Sequence, residues 1–161
     1  MSMPSFNPVP GPLVVAPREG RTTNPLTIGG QEVFIKVAGA DTNDALSCMF
    51  HTVPPMTGPP LHQHQREDEL FYVVEGEITF EVDGKRTVAK AGTMLFAPRL
   101  TVHAFQNFSQ SAARLLITLV PGGMDRMFVE ASKLTGENVA AQFGPIGARY
   151  GLTLKGPPLR P

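Results

Sequence analysis

The pattern His62-Gln-His64, followed by Glu69 and, well downstream, by His103, constrains this chain more than any other feature. Side chains of an extended strand alternate with period two, so His62 and His64 lie on one face. His103 sits in a second short strand-like segment, and three of the chain's four histidines thus share one pattern with an acid. Three imidazoles and a carboxylate suit one divalent transition metal (Fe, Mn, Ni, Cu or Zn), with positions left for water or a small-molecule substrate. Such a set requires a fold that brings two distant segments together.

Strand signals recur throughout the middle of the chain. Apolar or alternating segments at 32–37, 46–53, 70–74, 77–82, 85–89, 93–97, 102–107 and 114–120 are separated by turns such as Gly29-Gly30, Pro54-Pro55 and Asp83-Gly84. Spacing of this kind predicts an all-β antiparallel sandwich or barrel. The 16 glycines and 16 prolines serve such turns, and at about a fifth of the chain they fall short of the roughly 25–30% of low-complexity sequence. Two segments, Leu70–Val74 and Met94–Ala97, are apolar on both faces. One face can line an interior, and the other then needs a cover, for which a homodimer partner is the expectation. Residues 1–25, with their many prolines, form an extended arm, and 26–121 form the barrel. The remainder, 122–161, is a C-terminal helical segment and tail packed on the barrel. Its expected parts are a helix from Met124 to Leu134 stopped by Gly136, a short helix at 138–143, and an edge strand at 150–154.

A chain of 161 residues with no net formal charge fits one domain. It has no basic stripe, which argues against nucleic acid or an anionic membrane as partner. Its first 21 residues lack a basic start and a long apolar run, and Leu13–Ala16 is too short for a signal or a span. Cys48 is alone, excludes an internal disulfide, fits a reducing cytoplasm and reads as a small core residue.

The residues carrying these signals resemble two motifs of the cupins, which are small double-stranded β-helix (jelly-roll) barrels. Gly58, His62, His64, Glu69 and Gly76 stand where the first motif has its glycine, histidine pair, acid and closing glycine. Gly92, Pro98, His103 and Asn107 stand in the second. Two loop positions depart from the pattern: Gly58 lies closer to the histidine pair than usual, and Leu100 occupies a common glycine position. The ending resembles small single-domain cupins grouped with quercetin dioxygenases. The resemblance implies a metal site at His62, His64, Glu69 and His103, with Glu69 also a candidate catalytic base. It further implies a dioxygenase acting on a small aromatic or enolic, flavonol-like compound. The alternatives are a metal-dependent isomerase, cyclase or lyase, and a barrel that binds or senses a small molecule without turnover. Phe71, Phe80, Met94, Phe96 and Phe105 are candidates for an apolar substrate wall. Glu67 and Asp68 read as solvated acids at the strand's entry, His51 as a structural residue, and Asn107 as a hydrogen-bonding turn residue.

Overall fold

Period-two alternation decides which side chains fill the interior. In the computed structural model, which describes residues 6–135 and 139–161, eleven strands form two sheets. They are β1 (Leu26–Ile28), β2 (Gln31–Val37), β3 (Ser47–Val53), β4 (Pro60–His64), β5 (Asp68–Glu75) and β6 (Glu77–Val82), then β7 (Lys85–Lys90), β8 (Met94–Ala97), β9 (His103–Gln106), β10 (Ala113–Val120) and β11 (Leu152–Pro158). Six lie in the order β1-β2-β3-β10-β5-β8, and five in the order β11-β4-β9-β6-β7. The antiparallel pairing is what the turn spacing predicts, and the jelly-roll barrel is what the resemblance to the cupins implies. Inward residues align across neighbouring strands: Met49 pairs with Ile117 and Ile117 with Phe71, all three buried. Between β6 and β7, Asp83 and Gly84 both adopt positive φ (47° and 75°), which is the twist a two-residue hairpin needs.

The same register corrects part of the expected substrate wall. Glu69 and Phe71 pair with Ala97 and Leu95, so the alternate residues Met94 and Phe96 face away from the interior, at 58% and 54% exposure. Together with Tyr72 and Val74 they leave an apolar outer face on β5 and β8. Met94 and Phe96 therefore point away from the barrel interior and its cavity. The described part of the proline-rich arm packs on another strand. Lys36 on β2 donates to the carbonyls of Ala16, Pro17 and Glu19, and Arg21 pairs with Asp41 at 2.8 Å.

Two loop features seat the histidine strand. A Cβ at Gly58 would meet the Phe105 carbonyl oxygen and come within 2.9 Å of the Gln106 Cα, so only glycine lets the loop before β4 lie against β9. Leu100 adopts φ 68°, a left-handed conformation that accounts for glycine being common at this position in the resembling family. Its N–H donates to the His64 carbonyl at 2.8 Å, and its own carbonyl accepts from the Gln63 amide.

Helix α1 spans Met124–Ala131, three residues shorter than its periodicity predicts, and Gly136, its expected stop, lies outside the described residues. Helix α2 spans Val139–Arg149, running through Gly144-Pro145, where local propensity predicts an end at Phe143. Burial of Ile146 and Tyr150 outweighs the bond lost at Pro145. The other expected end of that helix, Asn138, is outside the described residues. Beyond α2, strand β11 pairs Leu152 with His64 and Leu154 with His62, which makes the C-terminus part of the five-stranded sheet. No helix among the described residues is long and apolar enough to cross a membrane.

Candidate metal centre

Each ligand side chain is placed by its strand. His62 and His64 share the inward face of β4, and His62 pairs across the sheet with His103, the first residue of β9. Glu69 comes from β5 in the other sheet, so the acid meets the three imidazoles across the barrel interior. All four residues are buried, and one ligand atom from each lies within 4.8 Å of all the others. The Glu69 Oε2 is 3.1 Å from the His64 Nε2 and 2.9 Å from the His103 Nε2.

The outer nitrogens reveal what the inner ones can do. His62 Nδ1–H donates to the Pro60 carbonyl at 2.8 Å, and His103 Nδ1–H donates to the Thr101 carbonyl at 3.0 Å. His64 Nδ1 is 3.5 Å from Glu67 Oε2. With their protons on Nδ1, His62 and His103 turn Nε2 lone pairs inward, and His64 in the same tautomer would add a third beside a carboxylate that also offers only lone pairs. A cluster of acceptors buried together needs a cation among them. The residues fit a divalent transition metal, which His62, His64, His103 and Glu69 would hold.

Without such an ion, protons respond to the same crowding. Burial, and after it His103 and His64, pushes the His62 imidazolium down to about 3. Burial also disfavours charge on His64, but the Glu69 and Glu67 carboxylates outweigh it and raise that histidine to about 9. For Glu69, burial favours the neutral acid, yet His64 and His103 hold the carboxyl well below its usual range. The His64–Glu69 pair thus stabilises the metal-free protein below the ordinary histidine value of 6.5 and is lost as pH rises through about 9. A cation must displace that proton. Its apparent affinity should climb by close to tenfold per pH unit between about 6.5 and 9, whereas unperturbed histidines would put the break at about 6.5. Calorimetry at pH 7.5 in buffers of differing ionisation heat checks this: close to one proton released per cation is expected.

Glu67 departs from expectation. It is 1% exposed, and neither of its buried carboxylate oxygens has a hydrogen bond of good geometry. Its place behind His64 is that of an outer carboxylate orienting a metal ligand. Sequence reasoning missed it because three acids in a row, Glu67-Asp68-Glu69, look like a solvated entry. Only Asp68 is of that kind, paired with Arg99 at 2.9 Å. Glu67→Gln should lower metal affinity about 10–100-fold with the fold retained, as read by competition with a fluorescent chelator.

His62, His64 and Glu69 open into a cavity of about 690 Å³. Phe105, Ile117 and Val33 form its barrel side, and Met127, Phe128 and Phe143 close it from the two helices. Of the expected aromatic wall, Phe105 alone lines this space. Phe71 and Phe80, each 1% exposed, belong to the packed core beneath the histidines, with the Phe71 ring 5.8 Å from that of His103. The helix stripe of Met127 and Phe128, read from sequence as packing, is wall. Asn107 is fully buried and ties a turn, donating to Val53 and Ser111 and accepting from Ser109. His51 and Gln31 also border the cavity, and no lysine or arginine does among the described residues.

Comparison with known proteins agrees with this fold. The family model described as "Cupin domain" matches residues 49–119, which contain all four ligands. An oxalate-binding protein of Thermotoga maritima is 29% identical over 68 residues, which is 42% of this chain and 56% of that protein. Quercetin 2,3-dioxygenase of Bacillus subtilis is 31% identical over 67 residues, 42% of this chain and 20% of that protein. Neither relative is matched over two thirds of its length. Among solved structures, a predicted oxalate decarboxylase of Thermotoga maritima superposes with a TM-score of 0.61 at 23% identity, over 68% of this chain and 99% of that one, a likeness of fold.

Proposed function

We propose that this chain, which belongs to the cupin superfamily, is a metal-dependent dioxygenase acting on a small aromatic or enolic compound of the flavonol kind. One observation carries the reading: three lone-pair nitrogens and a carboxylate oxygen converge at the edge of a largely apolar cavity of about 690 Å³. That volume suits a molecule of two or three rings. A small dianion such as oxalate could have its charge met by the cation but would leave most of an apolar space of this size unfilled, so a larger ring compound is the better match. The stretch similar to quercetin 2,3-dioxygenase supports the same choice.

A divalent transition cation in the site would supply Lewis acidity toward an enolic or phenolic oxygen and, if redox-active, electrons for chemistry with oxygen. The chain's own part is placement and proton handling. Phe105, Ile117 and Phe128 exclude water and give flat apolar surface for a ring. Glu69 borders the cavity as a carboxylate, and on release from the ion it would be the group placed to take a proton from a substrate hydroxyl. His62 and His103 each donate Nδ1–H to a backbone carbonyl, which turns Nε2 of both rings toward the site.

Protein loaded anaerobically with Fe(II), Mn(II), Ni(II) or Cu(II), mixed with a flavonol panel and then given oxygen, tests the proposal. Consumption of oxygen in step with loss of the flavonol absorbance is the expected result. Equal turnover with zinc and no oxygen uptake would instead assign an isomerase, cyclase or lyase. Tight binding with no turnover under any metal would assign a binding protein.

A further inference from the structure

His51 lies outside the four-residue cluster. It is an inward residue of β3, aligned with Leu115 and Val73, whereas Glu69 is aligned with Leu119. The two sites are thus four residues apart along β5, roughly 13 Å of strand length. His51 is 3% exposed and borders the same cavity. Its Nδ1 is 3.1 Å from the Gln31 Oε1, itself on a buried side chain. The amide oxygen accepts, so the proton sits on Nδ1 and the lone pair on Nε2. That Nε2 is buried and has no hydrogen-bond partner. Phe128 stands edge-on to the ring, with centroids 5.6 Å apart, and offers nothing polar. A buried acceptor left unpaired costs free energy, and a packing role alone would not repay it.

We infer that His51 Nε2 is a substrate contact, accepting a hydrogen bond from a hydroxyl at the end of the molecule away from the four-ligand cluster, with Gln31 fixing the tautomer. This deepens the reading of the cavity as a small-molecule site and rests on it. It narrows the substrate class to a largely apolar ring compound carrying two separated polar ends, one of which is a hydrogen-bond donor. An anion at that end is disfavoured, since it would place lone pair against lone pair. Burial supports the assignment by pushing the imidazolium down to about 4, against the milder opposing pull of the Glu69 charge, so the ring is neutral at physiological pH.

The test uses zinc-loaded protein and two fluorescent probes, 2-naphthol and 2-methoxynaphthalene, which differ in one donor hydrogen. Wild-type protein should bind 2-naphthol about tenfold more tightly, the worth of one buried hydrogen bond. His51→Phe keeps a ring and removes the acceptor. It should weaken 2-naphthol about tenfold, change 2-methoxynaphthalene by no more than about twofold, and so erase the preference. Gln31→Leu, which frees the tautomer, should cost 2-naphthol a smaller factor of about three. A reading that needs no variant is the nitrogen NMR spectrum of the histidine rings. The His51 Nε2 resonance should move upfield with 2-naphthol and stay in place with 2-methoxynaphthalene. Equal affinity for the two probes, an equal loss for both in His51→Phe, or a His51 resonance indifferent to 2-naphthol would overturn the assignment. The dioxygenase reading is judged separately by oxygen uptake, so naphthol discrimination without turnover would sink that reading and leave this one standing.

Discussion

Replacing His62 by alanine should strip the protein of its metal, with affinity falling well beyond the 10–100-fold that loss of an outer-shell partner costs. His62 supplies one of four converging ligand atoms, and its Nδ1 is committed to the Pro60 carbonyl. No other imidazole is free to replace it, because His51 lies outside the cluster and is tied to Gln31. Saturating metal at about a hundred times Kd should stabilise the wild type by about 2.7 kcal/mol and the variant by almost nothing. The metal-free variant should stay folded, since β4 keeps its pairing with β9 and β11 and sheds an imidazole that burial already keeps neutral. Thermal melts with and without Mn(II) or Zn(II), together with elemental analysis of dialysed samples, check both halves. A variant retaining one equivalent of metal would contradict the assignment of His62.

The second large effect is on stability. Phe71→Ala should destabilise the barrel by about 3–5 kcal/mol, the range for emptying an aromatic from a packed core. Its ring is 1% exposed and lies 5.2 Å from Phe80 and 5.9 Å from Phe105, an aromatic cluster drawn from three strands. The lost volume lies against His103, so metal affinity should also fall, though less than in the His62 variant. Urea unfolding of the two metal-free proteins measures the first effect. Phe71→Leu should recover more than half of it, because most of the volume is kept. A loss below about 1 kcal/mol for the alanine variant would mean that Phe71 is not the floor of the site.

These residues also mark where sequence stops being readable. The four-residue cluster was legible because strand parity needs no tertiary information and because Glu69 and His103 stand at positions of the motifs the chain resembles. A histidine pair with one residue between points one way whatever the strand packs against, and Glu69 follows the parity of Phe71 and Val73. The barrel was legible for a similar reason, since turn residues such as Asp83-Gly84 act locally. Parity applied to β8 alone does not say which face is inward, because Met94-Leu95-Phe96-Ala97 is apolar on both. Only its register against β5 does, and that turns Met94 and Phe96 outward. Glu67 hid among acids of identical type and differs from Asp68 only in what lies behind it. His51 carried no motif, and its meaning comes from a cavity wall that α1 builds from the far end of the chain. Helix α2 outran its local signal because Pro145 is a local cost and the burial of Ile146 and Tyr150 is a distant gain.

X-ray absorption at the zinc K-edge on the full chain reconstituted with one equivalent of Zn(II) tests the coordination itself. Convergence of His62, His64, His103 and Glu69 on one ion predicts scattering from three imidazoles and a carboxylate oxygen, at about 2.0–2.2 Å. The imidazole signature should drop by one ring in His62→Ala. A spectrum of oxygen neighbours only, or one with fewer than two imidazoles in the wild type, would contradict a metal centre at these four residues.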